Sequence, residues 1–149
     1  MNSKLFTVTA LSALAGMSFL FASGAGTLDR DVAPLYDRLG GEAGVELVVD
    51  HFLADVSDDD RLSVRFADTD MQRLRGLLID RVCEATGGPC LSDGTGLPEA
   101  HKVVGVTEYE FSIMTQHFAE AMIDADVEIH EHIAAMHLLV DMHDDIVRQ

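Results

Sequence analysis

The chain is short of positive charge. Ten lysines and arginines stand against 26 aspartates and glutamates in 149 residues. The resulting formal net charge of −16 argues against nucleic acid and anionic membrane surfaces as partners. Cysteine is scarce too. Cys83 and Cys90 are the only two, so there is no second pair to build a multi-thiol metal centre. They enclose a Gly87-Gly88-Pro89 turn, and whether a disulfide closes across it depends on a Cα separation that sequence does not give. No run of alternating apolar and polar residues marks a strand, and no segment repeats. No grouping of serine, cysteine and carboxylate residues points to hydrolytic or nucleophilic chemistry. Thr86-Gly87-Gly88 is too short to cradle a phosphate.

One long apolar run is present. Lys4 is the only charge before Asp29, and Leu5 to Ala22 is apolar or small. Ser23-Gly24-Ala25 offers small residues for cleavage. The expectation is a signal peptide over residues 1–25, a mature domain over 26–149 and export, to a periplasm for instance. An uncleaved anchor is the alternative. No cysteine follows the run to accept a lipid. Loss of Lys4 would take the net charge from −16 to −17. After cleavage no membrane contact is expected. The acidic surface serves solubility, or docks a basic redox partner.

The remainder reads as helix, turn, helix, and predicts an all-α fold with four substantial helices and two short ones. Asp31 can cap a short helix over 34–39, which Gly40-Gly41 stops. Residues 42–57 carry Val45, Val48, Val49, Phe52 and Val56 on one face. Asp70 caps a helix to about Thr86, with Met71, Leu74, Leu78 and Val82 inward. Thr107 and Glu110 form a capping box that opens a helix to about Ile123, with Phe111, Met114, Phe118 and Met122 as its stripe. A single last helix over about 127–147 is expected to bury Ile129, Ile133, Met136 and Val140. Tyr36 and Tyr109 read as packing residues. His137, Asp141 and Asp144 share a helix face that either binds a metal or is merely solvated.

His101 is the residue with the most to say. Pro98 and Gly105 bracket a turn or two of helix on which Leu97, His101 and Val104 share a face. An imidazole aimed at an apolar interior needs a partner, because an unmet polar group there costs about 1–3 kcal/mol. A hydrogen-bonded core histidine satisfies that need; so does an axial ligand to haem iron.

The order of landmarks resembles the group 1 truncated haemoglobins. The matching stretches are Leu35-Tyr36-Asp37-Arg38-Leu39-Gly40-Gly41, Val48-Val49-Asp50-His51-Phe52 and Phe66-Ala67-Asp68-Thr69-Asp70-Met71-Gln72-Arg73-Leu74. Thr86-Gly87-Gly88-Pro89, Gly94, the segment 97–107, Phe111 and His117 follow, so that the match covers about residues 34–147. The resemblance implies a two-over-two globin sandwich, haem b bound by His101, and a diatomic gas (oxygen, nitric oxide or carbon monoxide) on the opposite side. It gives His117 a structural rather than a ligating place.

The distal positions depart from that family's pattern. Leu53 stands where a tyrosine is common, and Leu78 where a glutamine or other polar residue is common. Phe52, Leu53, Leu74, Leu78 and Val82 are expected over the iron, none of them a hydrogen-bond donor. Leu97 and Phe111 are expected to line the haem site as well, and Arg75 and Lys102 are candidates for its propionates. The implied function is reversible gas binding in an apolar pocket. The alternative is a redox enzyme, such as a nitric oxide dioxygenase or peroxidase, served by an external electron donor.

Overall fold

The first described helix is a single turn, and glycine explains why. The computed structural model describes residues 33–90, 101 and 104–147. Helix α1 is only Leu35–Arg38. Pro34 stands at its N-cap, and no side chain caps it; the expected Asp31 lies outside the described residues. Gly40 and Gly41 then adopt φ of +96° and +65°, which turns the chain into α2 (Gly41–Asp58). Gly44 lets the two helices close up. A Cβ there would sit 1.8 Å from the Leu39 carbonyl oxygen.

Helix α2 buries Val45, Val48, Val49, Leu53 and Val56. Each aliphatic side chain so buried stabilises by about 1.5–3 kcal/mol. A four-residue helix, α3 (Ser63–Phe66), follows, and is too short for periodicity to have revealed it. Asp70 caps α4 (Met71–Ala85) by accepting from the Arg73 amide at 3.1 Å. The Thr86 hydroxyl ends that helix by donating to the Val82 carbonyl at 2.6 Å. The Thr86 carbonyl accepts from the Tyr36 amide at 2.9 Å, which ties the end of α4 to α1.

Cys83 and Cys90 form a disulfide with a Cα separation of 5.9 Å. Gly88 makes room for it: a Cβ there would lie 2.5 Å from the Cys83 Sγ and 2.7 Å from the Tyr36 ring. In the chain-entropy picture, closing a loop this short contributes about 2 kcal/mol.

The capping box of Thr107 and Glu110 is formed, and opens α5 (Glu108–Asp124). Then come α6 (Ile129–Asp141) and α7 (His143–Ile146). The single last helix that the sequence predicts is therefore broken at Met142. Its stripe is also rotated. Ile129, Ile133 and Val140 are exposed, while Ala135 is buried and Leu138 and Leu139 turn inward beside it. The helix is apolar on more than one side, so its own pattern did not choose which side to bury. Tyr36 packs against the core as expected, but Tyr109 is exposed.

Helix packs on helix throughout. α2 is central, with α5 as its main partner and α4 as its second. Val45, Val49, Leu53, Val56, Leu62 and Ile113 make one core cluster. Val48, Ala121, Met122 and Ala135 make another on the side toward α6. Among the described residues the only β pairing is one bridge, Val106 with Val147. The division expected at residue 25 lies outside them, and no described helix is long and apolar enough to cross a membrane.

His143 holds the start of α7 against the start of α5. Its Nε2 lies 3.0 Å from Glu108 Oε2 and its Nδ1 2.9 Å from Asp144 Oδ1. Its ring meets Phe111 edge-on at 4.9 Å. Glu108 first, then Asp144, raises its pKa above the ordinary 6.5. A raised native value means that the stabilisation is complete below about 6.5 and is lost as pH rises through the native pKa. The melting temperature of wild type should thus exceed that of His143→Gln most in mild acid, and the gap should shrink toward pH 9. A gap that does not change with pH would refute the assignment.

Candidate functional site

Stripes from four helices enclose an apolar cavity of about 350 Å³. That volume lies in the range of small-molecule and cofactor sites, roughly 300–1,000 Å³. α2 contributes Val49, Phe52 and Leu53, and α4 contributes Leu74, Leu78 and Val82 one turn apart. α5 contributes Phe111, Met114, Thr115 and Phe118 at i, i+3, i+4 and i+7. Ala135, Leu138 and Leu139 of α6 close the far side, with Met142 beyond them. Phe52 and Phe118 meet edge to face, with ring centroids 6.0 Å apart.

His101 lies in the wall of this cavity and is half-buried. Its carbonyl accepts from the Gly105 amide at 2.8 Å, and Gly105 has φ of +66°. The turn thus ends at Gly105, as the sequence predicts. Arg65 of α3 steadies the far end of this turn by donating to the Val104 carbonyl at 3.1 Å. The same guanidinium pairs with Glu110 at 2.5 Å. Burial alone would raise the Glu110 pKa, but Arg65 and the Thr107 cap outweigh it and leave it lowered.

Seven of the ten expected site residues therefore line one cavity: His101, Phe52, Leu53, Leu74, Leu78, Val82 and Phe111. Leu97 and Lys102 lie outside the described residues. Arg75 does not line the cavity. Its guanidinium crosses to α2, where it meets Asp50 at 2.5 Å and Glu46 at 3.4 Å. That pairing lowers the Asp50 pKa and raises that of Arg75.

Several polar groups in the wall were not foreseen. Arg65 and Arg81 are there, the latter paired with Glu84 at 2.6 Å. Thr115 is there too, and its buried hydroxyl has no hydrogen-bond partner among the described residues. The one available signal was its i+4 spacing from Phe111.

Comparison with known proteins places this geometry. Residues 34–148 match the model of the family described as bacterial-like globin. The chain belongs to that family. Among its relatives is the group 1 truncated hemoglobin GlbN of Mycolicibacterium paratuberculosis. It is 36% identical over 95 residues, which is 64% of this chain and 70% of the relative. The GlbN of a Nostoc species is 28% identical over 111 residues, 74% of this chain and 94% of the relative. Among solved structures, the 2/2 hemoglobin of a Synechococcus species in its cyanomet state superposes with a TM-score of 0.73. It is 25% identical, over 78% of this chain and all of that one. The truncated hemoglobin of Tetrahymena pyriformis also superposes with a TM-score of 0.73, at 24% identity over 78% of this chain and all of that one, which shows the shared fold.

The globin is thus a truncated haemoglobin with the two-over-two helical fold, and its family carries haem iron and binds diatomic gases. The residues of this cavity fit that cofactor. Apolar side chains wall it on several sides, one imidazole enters it, and two guanidiniums stand in its lining. The buried Thr115 hydroxyl, which has no hydrogen-bond partner among the described residues, lies in the same wall.

The remaining histidines of interest stand apart from it. His51 is not in the lining, whereas its neighbours Phe52 and Leu53 are. His117 makes a structural bond, with Nε2 2.7 Å from Asp59 Oδ2. His137, Asp141 and Asp144 are exposed.

Proposed function

We propose that His101 is the protein's ligand to haem iron and that the opposite, apolar wall makes this globin a fast-exchanging gas binder. The supporting observation is that His101 shares a single cavity with Phe52, Leu53, Leu74, Leu78 and Val82. Haem iron supplies the position at which a diatomic gas binds. The residues decide how long each gas stays. Arg65 and Arg81 offer cations for two propionates, and either can exchange its present carboxylate partner for one. Leu53, Leu74 and Leu78 exclude water and present no donor or internal ligand from α2 and α4. The one donor hydroxyl on the α5 wall is that of Thr115.

A visible spectrum of the reduced, haem-loaded protein tests this reading. A five-coordinate high-spin ferrous form that takes up carbon monoxide without delay is the expected result. A six-coordinate low-spin ferrous form would place an internal ligand over the iron and overturn it. Sustained consumption of nitric oxide with an added electron donor would instead favour the enzyme.

We further propose that the protein works outside the cytoplasm. Its disulfide suits an oxidising compartment, and the apolar run behind Lys4 suits export. Mass measurement on the protein from its own host should find a chain that begins near Gly26 and is two hydrogens lighter than its dithiol form. An intact Met1 with both thiols free would be the contrary result.

A further inference from the structure

We propose that the outer face between α2 and α5 holds a divalent transition-metal ion of the zinc class, ligated by Asp55, His117 and Glu120. Asp55 lies in the last turn of α2. His117 and Glu120 stand three residues apart on α5. One ligand atom from each lies within 4.8 Å of the other two. None of the three lines the large apolar cavity, so this site is separate from the haem. One imidazole nitrogen and two carboxylate oxygens form a set that zinc accepts, with a fourth position left for water.

The state of His117 lifts this above a chance gathering of acids. Its Nε2 is 2.7 Å from Asp59 Oδ2. Asp59 is fixed in turn by Arg61, whose Nε donates to both of its carboxylate oxygens, at 2.8 and 3.1 Å. With Nε2 engaged by Asp59, Nδ1 is the ring nitrogen that stands beside Glu120. A carboxylate behind the ring that fixes its tautomer is the usual support of a metal-binding histidine. Nδ1 is buried and has no hydrogen-bond partner. It lies 3.3 Å from Glu120 Oε2. The side chain is only 12% exposed, so bulk water has little access. One imidazole nitrogen and two carboxylates thus converge closely enough for a single cation to reach all three. The recess in front of them is lined by Asp55, Asp58, Asp59, His117 and Glu120, every one an acid or a histidine. An ion there would clamp α2 to α5.

Calorimetric titration of the full-length, haem-loaded, chelator-treated protein with zinc chloride tests the site. One ion per chain is expected, together with a rise in melting temperature on saturation. Asp55→Asn and Glu120→Gln should each weaken binding at least tenfold, while His137→Gln on α6 should leave it unchanged. X-ray absorption at the zinc edge of the wild-type complex should show one nitrogen at about 2.0 Å among oxygen neighbours. That reading needs no variant to fold. Absence of binding, undiminished binding in the Asp55→Asn, Glu120→Gln double variant, or an all-oxygen shell would each overturn the proposal.

Discussion

His101→Ala is expected to leave a folded protein that no longer holds haem stably. The argument has two parts. First, the described polar groups in the cavity wall are a poor substitute for an imidazole. Arg65 and Arg81 carry no lone pair to offer a metal, and the Glu110 carboxylate is engaged by Arg65 and by the Thr107 cap. Second, His101 is not part of the main core. The aliphatic clusters built on α2 keep all their members when it is truncated. The helical signal in circular dichroism should therefore persist while the haem absorbance is lost on gel filtration. Added imidazole should restore a ligand-field spectrum like that of wild type, since the deletion leaves a space of its own shape. Retention of haem with an unchanged spectrum would show that another side chain holds the iron.

Helices with one apolar face and a marked start were legible in the sequence. α4 begins at Asp70 and α5 at the Thr107–Glu110 box, and both stripes point where periodicity put them. α6 was not. Its apolar residues surround the axis, and the choice of Ala135, Leu138 and Leu139 over Ile129, Ile133 and Val140 was made by what α5 and the cavity offered. α3 and α7 are one turn each, below the length at which a period exists.

The same distinction runs through the site. Phe52, Leu74, Leu78, Val82 and Phe111 were accessible because each sits on an apolar stripe, and Leu53 because the resemblance singled out the position after Phe52. The cations were not. A guanidinium at the end of a flexible stem goes to its best tertiary partner. Arg75 is adjacent to Leu74 in sequence but finds Asp50 across on α2. Arg65 sits on a helix that the sequence did not announce, yet reaches both the cavity and the Val104 carbonyl. Thr115 was hidden by its chemistry, since a threonine on a helix face signals neither core nor surface. The disulfide depended on a turn geometry that two cysteines and a Gly-Gly-Pro stretch permit without dictating.

Leu53→Tyr is expected to slow oxygen dissociation tenfold or more. Leu53 is buried in α2 and faces the cavity beside Phe52. Tyrosine there keeps an apolar body and adds one hydroxyl donor at its tip. Oxygen draws electron density from ferrous iron and is held by a donor; carbon monoxide is held by one much less. A hydrogen bond to a charged acceptor contributes about 1.5–3 kcal/mol. At 1.4 kcal/mol per factor of ten, that is one to two orders of magnitude in retention. Leu78→Gln, entering from α4, should act in the same direction. The carbon monoxide dissociation rate provides the internal control and should change far less. Thr115→Val separates the α5 hydroxyl from these two: removing a bystander leaves the wild-type oxygen rate as it was. Stopped-flow measurement on all four proteins gives the comparison. Slow wild-type release that Leu53→Tyr does not slow further would mean that a donor already reaches the gas, and that the apolar wall of α2 and α4 is not the one facing it.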